Sequence, residues 1–155
     1  MRKKNFFDVA DVAAPCLILG QAIGRIGCYF GGCCYGIETT NQALQFFPMS
    51  VMIGGTWHLA TFFYESFFDF LICIILILVL KKVNIKGVVL GGYMILYGIV
   101  RAILEGLRDS SAALFIGGLK VSQLLSIIII AGGVALIVCQ ALLYHKKKKT
   151  NLEAK

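Results

Sequence analysis

Three long apolar runs constrain this chain more than any other feature. They cover residues 58–80, 87–107 and 121–144. A helix of about 20 apolar residues matches the thickness of the hydrocarbon core of a bilayer. The sequence therefore predicts an all-α polytopic integral membrane protein in which each of these runs crosses the membrane.

A fourth, weaker run covers residues 9–30 and contains Asp11, Pro15, Gln21 and Arg25. Polar side chains at this depth need neighbours that shield them, so we expect the segment to pack against the other spans. The prediction is one membrane domain over residues 1–155 with about four spans. Its remaining parts are exoplasmic loops at 31–57 and 108–120 and a basic cytoplasmic tail at 145–155.

Composition and charge exclude several classes of protein. With 59% hydrophobic and 15% charged residues, the chain is too apolar for a soluble enzyme or a disordered protein. The net charge of +7 comes largely from lysines that flank apolar runs, which argues against nucleic-acid binding. Eleven of the 15 Lys and Arg residues fall on one side of the predicted spans, and this asymmetry predicts that both termini are cytoplasmic.

The third long run carries a polar stripe. Tyr97, Arg101, Glu105 and Arg108 follow one another at helical spacing, so they lie along one face of a helix. A charge inside a membrane needs a partner or a polar cavity. The stripe is either an ion-pair network that joins helices, with Arg108 reaching the interface, or a phosphate site, because a forked guanidinium suits phosphate.

A second stripe lies in the first long run and consists of His58, Thr61, Tyr64, Glu65 and Asp69. Its polar face is expected to look inward, since the other faces are apolar. A carboxylate two turns inside a span would seek an arginine such as the one at position 25 or 101. The histidine at the predicted helix start is more often an interfacial or capping residue than a catalyst.

The segment GQAIGRIGCYFGGCCYG, residues 20–36, is rich in glycine and places Arg25 among small residues. Gly20 and Gly24 favour close helix packing, and the later glycines allow the backbone to approach a ligand. Cys28, Cys33 and Cys34 cluster here. They could pack as small side chains, form a disulfide, or supply a reactive thiolate; a metal site is a weak hypothesis because no CxxC pair accompanies them.

Three motifs follow one another along the chain: GRIGCYFGGCCYG, WHLATFFYESFFDF and YGIVRAILEGLRD. The first has a Gly-Arg-x-Gly core at residues 24–27 and a closing glycine at Gly36. The second has His58 followed by a Tyr-Glu pair, and the third has the complete Tyr-x-x-x-Arg-x-x-x-Glu-x-x-Arg pattern. In this order they resemble the prolipoprotein diacylglyceryl transferase family of bacterial membrane enzymes, over about residues 9–144.

The resemblance implies a reaction. Such an enzyme moves the diacylglyceryl group of phosphatidylglycerol onto the cysteine thiol of a preprolipoprotein lipobox, in the bacterial cytoplasmic (inner) membrane and without a cofactor. The catalytic residues would be Arg25 and Arg101 on the phosphate, Glu105 orienting the arginines, and His58 or Glu65 as the base. The substrate-binding residues would be Arg108 at the entrance, Tyr97 at the head group, and Tyr64, Gly24, Gly27 and Gly36.

Departures from the family pattern keep alternatives open. Cys28 replaces an asparagine and Cys33 a glutamate of the family signature, and the proline and glutamine of the second motif are missing. Full-length members also begin with spans that carry a histidine-glycine motif, which has no counterpart here. The alternatives are a non-catalytic phospholipid-binding homologue or partner subunit, and a thiol-redox membrane protein. A homodimer is expected because a four-helix bundle is small for a site that must hold two acyl chains, and a completing subunit would supply the missing half.

Overall fold

The computed structural model describes residues 6–32, 35–83, 85–107, 115–116 and 119–153. Within these ranges, four α-helices are long and apolar enough to cross a membrane. They are α1 (Phe6–Phe30), α2 (Thr61–Lys82), α3 (Val88–Gly106) and α4 (Val121–Glu153). The prediction of a helical membrane protein with four spans is confirmed.

The predicted loop between the first two spans contains a β-hairpin. Strand β1 (Ser50–Ile53) pairs antiparallel with β2 (Thr56–Leu59), and the turn uses Gly54 and Gly55 at φ 60° and 91°. Positive φ suits glycine, which has no Cβ to clash. Because residues 56–59 belong to this hairpin, α2 begins at Thr61, so the predicted start of a span at residue 58 was wrong. A short hairpin of β3 (Phe115–Ile116) and β4 (Leu119–Lys120) precedes α4.

The core lies between α1, α2 and α3. Buried apolar side chains from the three helices meet there, with α1 packed along α2 and α3 touching both. The side chains of neighbouring helices interdigitate there, so the helices pack closely. The buried core residues are Ala14, Ile18, Ile72, Cys73, Leu76 and Val89. Three helices therefore enclose the interior in which the polar stripes lie.

Helix α4 packs on the outer side of α3 through glycines. A Cβ on Gly98 would lie 2.7 Å from Ile130 Cγ1, and one on Gly91 would lie 2.5 Å from Ile137 Cγ1. These positions need glycine because the helices approach too closely for a side chain. Gly20 and Gly24, which would permit close packing, are exposed, and no described atom lies within 4 Å of an added Cβ, so no described helix of this chain uses them.

The two ends of the helix bundle differ. The head end holds the β1–β2 hairpin together with the end of α1, the start of α2 and the end of α3. Ile37 N–H donates to Leu107 O at 3.1 Å, which joins the chain after α1 to the end of α3. The basic end holds the start of α1, the lysines Lys81 and Lys82 that end α2, and Lys86 just before α3.

Candidate functional site

Three helices bring charged side chains together inside the head end. Glu65, near the start of α2, lies between Arg25 of α1 and Arg101 of α3. Its Oε2 is 2.6 Å from Arg25 Nε, and its Oε1 is 3.6 Å from Arg101 Nη1. The prediction that this carboxylate seeks one of these arginines is confirmed, and it contacts both.

The polar face of α2 turns inward, as its spacing indicated. Thr61, Glu65 and Asp69 are 2%, 7% and 2% exposed. Ser66 beside them is also buried, and its hydroxyl donates to Ala22 O at 2.8 Å, which ties α2 to α1. Polar groups this far from water are costly unless they find partners, so the face must serve the contacts between helices or a ligand.

The stripe on α3 reaches the same interior. Arg101 is half-buried and Glu105 is 8% exposed. Tyr97, one turn before the arginine, is half-buried and stacks on Tyr93 with ring centroids 5.7 Å apart. The hydroxyl of Tyr93 lies 3.3 Å from Gln21 Oε1 of α1. The predicted entrance residue Arg108 lies outside the described residues.

The cluster has unused hydrogen-bonding capacity. Arg101 Nη1 and Asp69 Oδ1 are buried, and neither atom has a hydrogen-bond partner in the described part of the chain. An unsatisfied buried polar atom costs about 1–3 kcal/mol, so native proteins keep few of them. A site in which one donor atom and one acceptor atom lack a hydrogen bond can receive a polar ligand.

His58 is not part of a helix. It lies in β2, and the placement at a helix start was wrong because residues 56–59 pair with β1. Its Nδ1 is 3.3 Å from Gly36 O and its Nε2 is 2.8 Å from Thr56 Oγ1. The Tyr35 ring lies against the imidazole with centroids 4.9 Å apart. The histidine therefore joins the hairpin to the chain that follows α1.

Tyr64 points away from the charged cluster toward the hairpin. Its hydroxyl donates to Met49 O at 2.7 Å. Gly36 is buried, and an added Cβ would lie 2.7 Å from both Leu107 O and Thr61 Cγ2. These residues fix how the hairpin sits on the helix ends.

Comparison with known proteins identifies the family. The family model described as prolipoprotein diacylglyceryl transferase matches residues 1–139. The chain belongs to this family. The chain is similar to the phosphatidylglycerol–prolipoprotein diacylglyceryl transferase of Clostridium botulinum strain Loch Maree, with 44% identity over 131 residues, 82% of this chain and 51% of the relative.

Two further relatives carry the same name. The protein of Finegoldia magna is 44% identical over 138 residues, which cover 87% of this chain and 52% of the relative. The protein of Clostridium novyi is 38% identical over 141 residues, covering 88% and 54%. The chain thus spans about half the length of the curated relatives it matches.

The cysteines of the diacylglyceryl transferase signature are described only in part. Cys28 Sγ lies 3.8 Å from Gly24 O, one turn back, and the side chain packs beside the cluster of Val51, Ala60 and Phe62. Cys33 and Cys34 lie outside the described residues, so the predicted thiol cluster stays a prediction. No group of three His, Cys, Asp or Glu side chains suited to a metal ion occurs within the described ranges. Gly24 and Gly27 of the signature core are exposed.

Two buried carboxyl groups were not assigned a role from the sequence, one in this site and one at the basic end. Asp69 was seen in the polar stripe of α2 but was given no role. Asp11, buried in α1, accepts hydrogen bonds from the N–H groups of Gly87 at 2.6 Å and Leu90 at 2.9 Å, at the start of α3. One sequence feature could have indicated this role. Asp11 lies inside an apolar run and has no arginine three or four residues away to pair with, so it needs a partner from another segment. Gly87, at φ 85°, begins a helix without a side-chain cap of its own.

Proposed function

We propose that this family member transfers the diacylglyceryl group of phosphatidylglycerol to the cysteine thiol of a preprolipoprotein lipobox, and that the head-end cluster holds the lipid phosphate. One observation carries the proposal: Arg101 presents a buried Nη1 with no hydrogen-bond partner among the described residues, beside the Arg25–Glu65 ion pair. Guanidinium groups bind phosphate through paired N–H donors, which makes this atom a natural phosphate contact.

The chemistry requires charge stabilisation. The lipobox sulfur attacks the glycerol carbon of the diacylglyceryl group, an S–C bond forms, and the C–O bond to phosphate breaks. Negative charge then grows on the departing glycerol phosphate. Donors placed in advance where charge develops lower the barrier, and Arg25 and Arg101 would supply them in a site shielded from water. Glu65 holds the two guanidiniums at a fixed separation.

The thiol proton needs a base, and His58 is the better candidate. Both oxygens of Glu65 are turned toward guanidiniums. In the histidine, Nδ1 faces the carbonyl oxygen of Gly36, which can only accept, so we assign the ring proton to this nitrogen. Nε2, 2.8 Å from the Thr56 hydroxyl oxygen, would then be the atom that takes a proton.

The other residues of the third motif complete the proposal. Glu105 would orient the arginine one turn before it, Tyr97 would hydrogen-bond the head group, and Arg108 would lie at the entrance. We further propose that the protein resides in the bacterial cytoplasmic (inner) membrane with both termini cytoplasmic. This orientation places the head end on the exoplasmic side, where a lipobox peptide would arrive. We also propose that a homodimer or a completing subunit extends the site, since a four-helix bundle is small for a lipid with two acyl chains.

The test is transfer of radiolabelled diacylglyceryl groups from phosphatidylglycerol to a lipobox peptide by the purified chain in detergent. Arg101→Ala should lower the rate about 100-fold, the loss typical of one charge-stabilising donor. Arg101→Lys keeps the positive charge but not the forked guanidinium, so its transfer rate should lie between those of the wild type and Arg101→Ala. Lys86→Ala, at the basic end, is the control and should leave transfer unchanged.

Other outcomes point elsewhere. No transfer by the wild type, with phosphatidylglycerol binding that still depends on Arg25 and Arg101, would identify a non-catalytic phospholipid-binding homologue. Neither transfer nor arginine-dependent binding would overturn the lipid-site proposal. Reversible oxidation confined to Cys28, Cys33 and Cys34 under mild oxidant would support the thiol-redox alternative.

A further inference from the structure

Asp69 lies one helical turn deeper than Glu65 on the inward face of α2. At 2% exposure it is the most deeply buried carboxyl group in the described part of the chain. Its Oδ1 has no hydrogen-bond partner among those residues. The glutamate above it differs, because both of its oxygens face guanidiniums at 2.6 and 3.6 Å. Of the two carboxyl groups on this face, Glu65 is ion-paired, whereas Asp69 forms no ion pair with the described residues.

The groups that face Asp69 come from all three core helices. The charged neighbours are Glu65 on its own helix, Arg25 on α1 and Arg101 on α3. The titratable neighbour Tyr93 also faces it from α3. In formal charge, these two carboxylates and two guanidiniums balance without any ligand. Glu105 adds a further carboxyl group one turn beyond Arg101.

A phosphodiester anion disturbs that balance. When it binds beside Arg25 and Arg101, the four groups and the ligand together carry one negative charge in excess. An uncompensated charge away from water is expensive, and a buried group usually responds by changing its protonation. Asp69 forms no ion pair with the described residues, so it can take a proton without breaking one.

We propose that Asp69 takes up one proton when the phospholipid anion binds and releases it when the lipid phosphate leaves. This inference rests on the proposed function. The proton comes from solvent, forms an O–H bond on the carboxyl group, and returns to solvent afterwards. Asp69 is then a positioning residue: it keeps the arginine pair in place in the empty site and becomes neutral when the phosphate takes over its charge.

The experiment is calorimetric titration of the full chain in detergent with a short-chain phosphatidylglycerol. Repeating it in two buffers of different ionisation enthalpy gives the number of protons taken up. The wild type should take up about one proton per lipid, and its affinity should rise by up to about tenfold for each unit that the pH falls. Asp69→Asn, which imitates the neutral group, should take up none and bind independently of pH.

Control variants separate the outcomes. Asp8→Asn alters a carboxyl group at the basic end and should keep the wild-type proton uptake. If binding does not depend on Arg25 and Arg101, the proposed function fails. If it does depend on them, yet the wild type takes up no proton or Asp69→Asn still takes one up, the inference alone fails. Should Asp69→Asn not fold, Asp69→Glu keeps the uptake and shifts the pH at which it occurs; an unchanged pH profile there would also overturn the inference.

Discussion

The two ends of the bundle use buried acidic side chains differently. At the basic end, both oxygens of Asp11 accept backbone N–H groups, at 2.6 Å from Gly87 and 2.9 Å from Leu90. At the head end, Glu65 is shared between two arginines and Asp69 keeps an oxygen without a partner among the described residues. A satisfied group fixes helices in place, whereas a partly satisfied group leaves capacity for a ligand.

The same physical cost explains both arrangements. A helix start leaves N–H groups without partners inside the helix, and an acceptor near that positive end is favourable. Asp11 provides it from another helix, which is why an aspartate is tolerated in a membrane span. At the head end, one carboxylate, Glu65, contacts both Arg25 and Arg101. This contrast yields three stability experiments, beginning with the largest effect.

Glu65→Ala should be the most destabilising change. It leaves Arg25 and Arg101 without the carboxylate that joins them, and their side chains are 20% and 25% exposed. Breaking a buried ion pair by removing one partner costs about 3–5 kcal/mol. Unfolding of the chain in detergent by increasing denaturant measures it. Glu38→Ala, an exposed glutamate at the same end, is the matched control and should change stability little.

A small loss for Glu65→Ala, comparable to that of Glu38→Ala, would break the comparison. It would mean that the arginines find other partners readily, and that the head end is no more dependent on its ion pairs than an exposed surface.

Much of the head-end site followed from spacing. The stripes on α2 and α3 predicted which faces turn inward, and the cost of a charge in a membrane predicted that Glu65 meets an arginine. His58 was misplaced because an apolar run concealed a four-residue strand, although Gly54 and Gly55 between two short apolar segments are typical of a hairpin turn. The unpaired oxygen of Asp69 depends on three helices at once, which no spacing reveals.

The glycines show the same limit. Gly20 and Gly24 have the spacing of a helix contact and are exposed, whereas Gly91 and Gly98, seven residues apart, lie against α4. Small residues permit close approach, but only the packing of the whole bundle decides which glycines are used. Asp11 was missed for a related reason, since its partners lie 76 and 79 residues further along the chain.

Asp11→Ala should have the second largest effect. It removes the acceptor of two hydrogen bonds and leaves the first N–H groups of α3 unsatisfied in a buried place. Leaving a buried donor unpaired costs about 1–3 kcal/mol, less than breaking the ion pairs of Glu65. The same denaturant titration measures it, and hydrogen exchange at Gly87 and Leu90 should accelerate.

Asp11→Asn is the matched variant for this cap. An amide keeps one acceptor oxygen, so it should lose less stability than Asp11→Ala and protect one of the two N–H groups. Equal losses for the two variants would show that the charge matters and the hydrogen bonds do not, and the proposed contrast between satisfied and unsatisfied carboxyl groups would fail.

Lys86→Ala should have the smallest effect, although it removes the ion pair between Lys86 and Asp8 at the basic end. Lys86 Nζ lies 2.7 Å from Asp8 Oδ2, but the two side chains are 50% and 36% exposed. Exposed ion pairs contribute about 0–1 kcal/mol because water and salt screen them. The loss of stability should shrink further at high salt, whereas that of Asp11→Ala should not.

Lys82→Ala, which changes an exposed lysine in the last turn of α2, is the control. A loss for Lys86→Ala as large as that for Asp11→Ala would mean that the exposed pair supports the cap, and the basic end would then be one cooperative cluster like the head end.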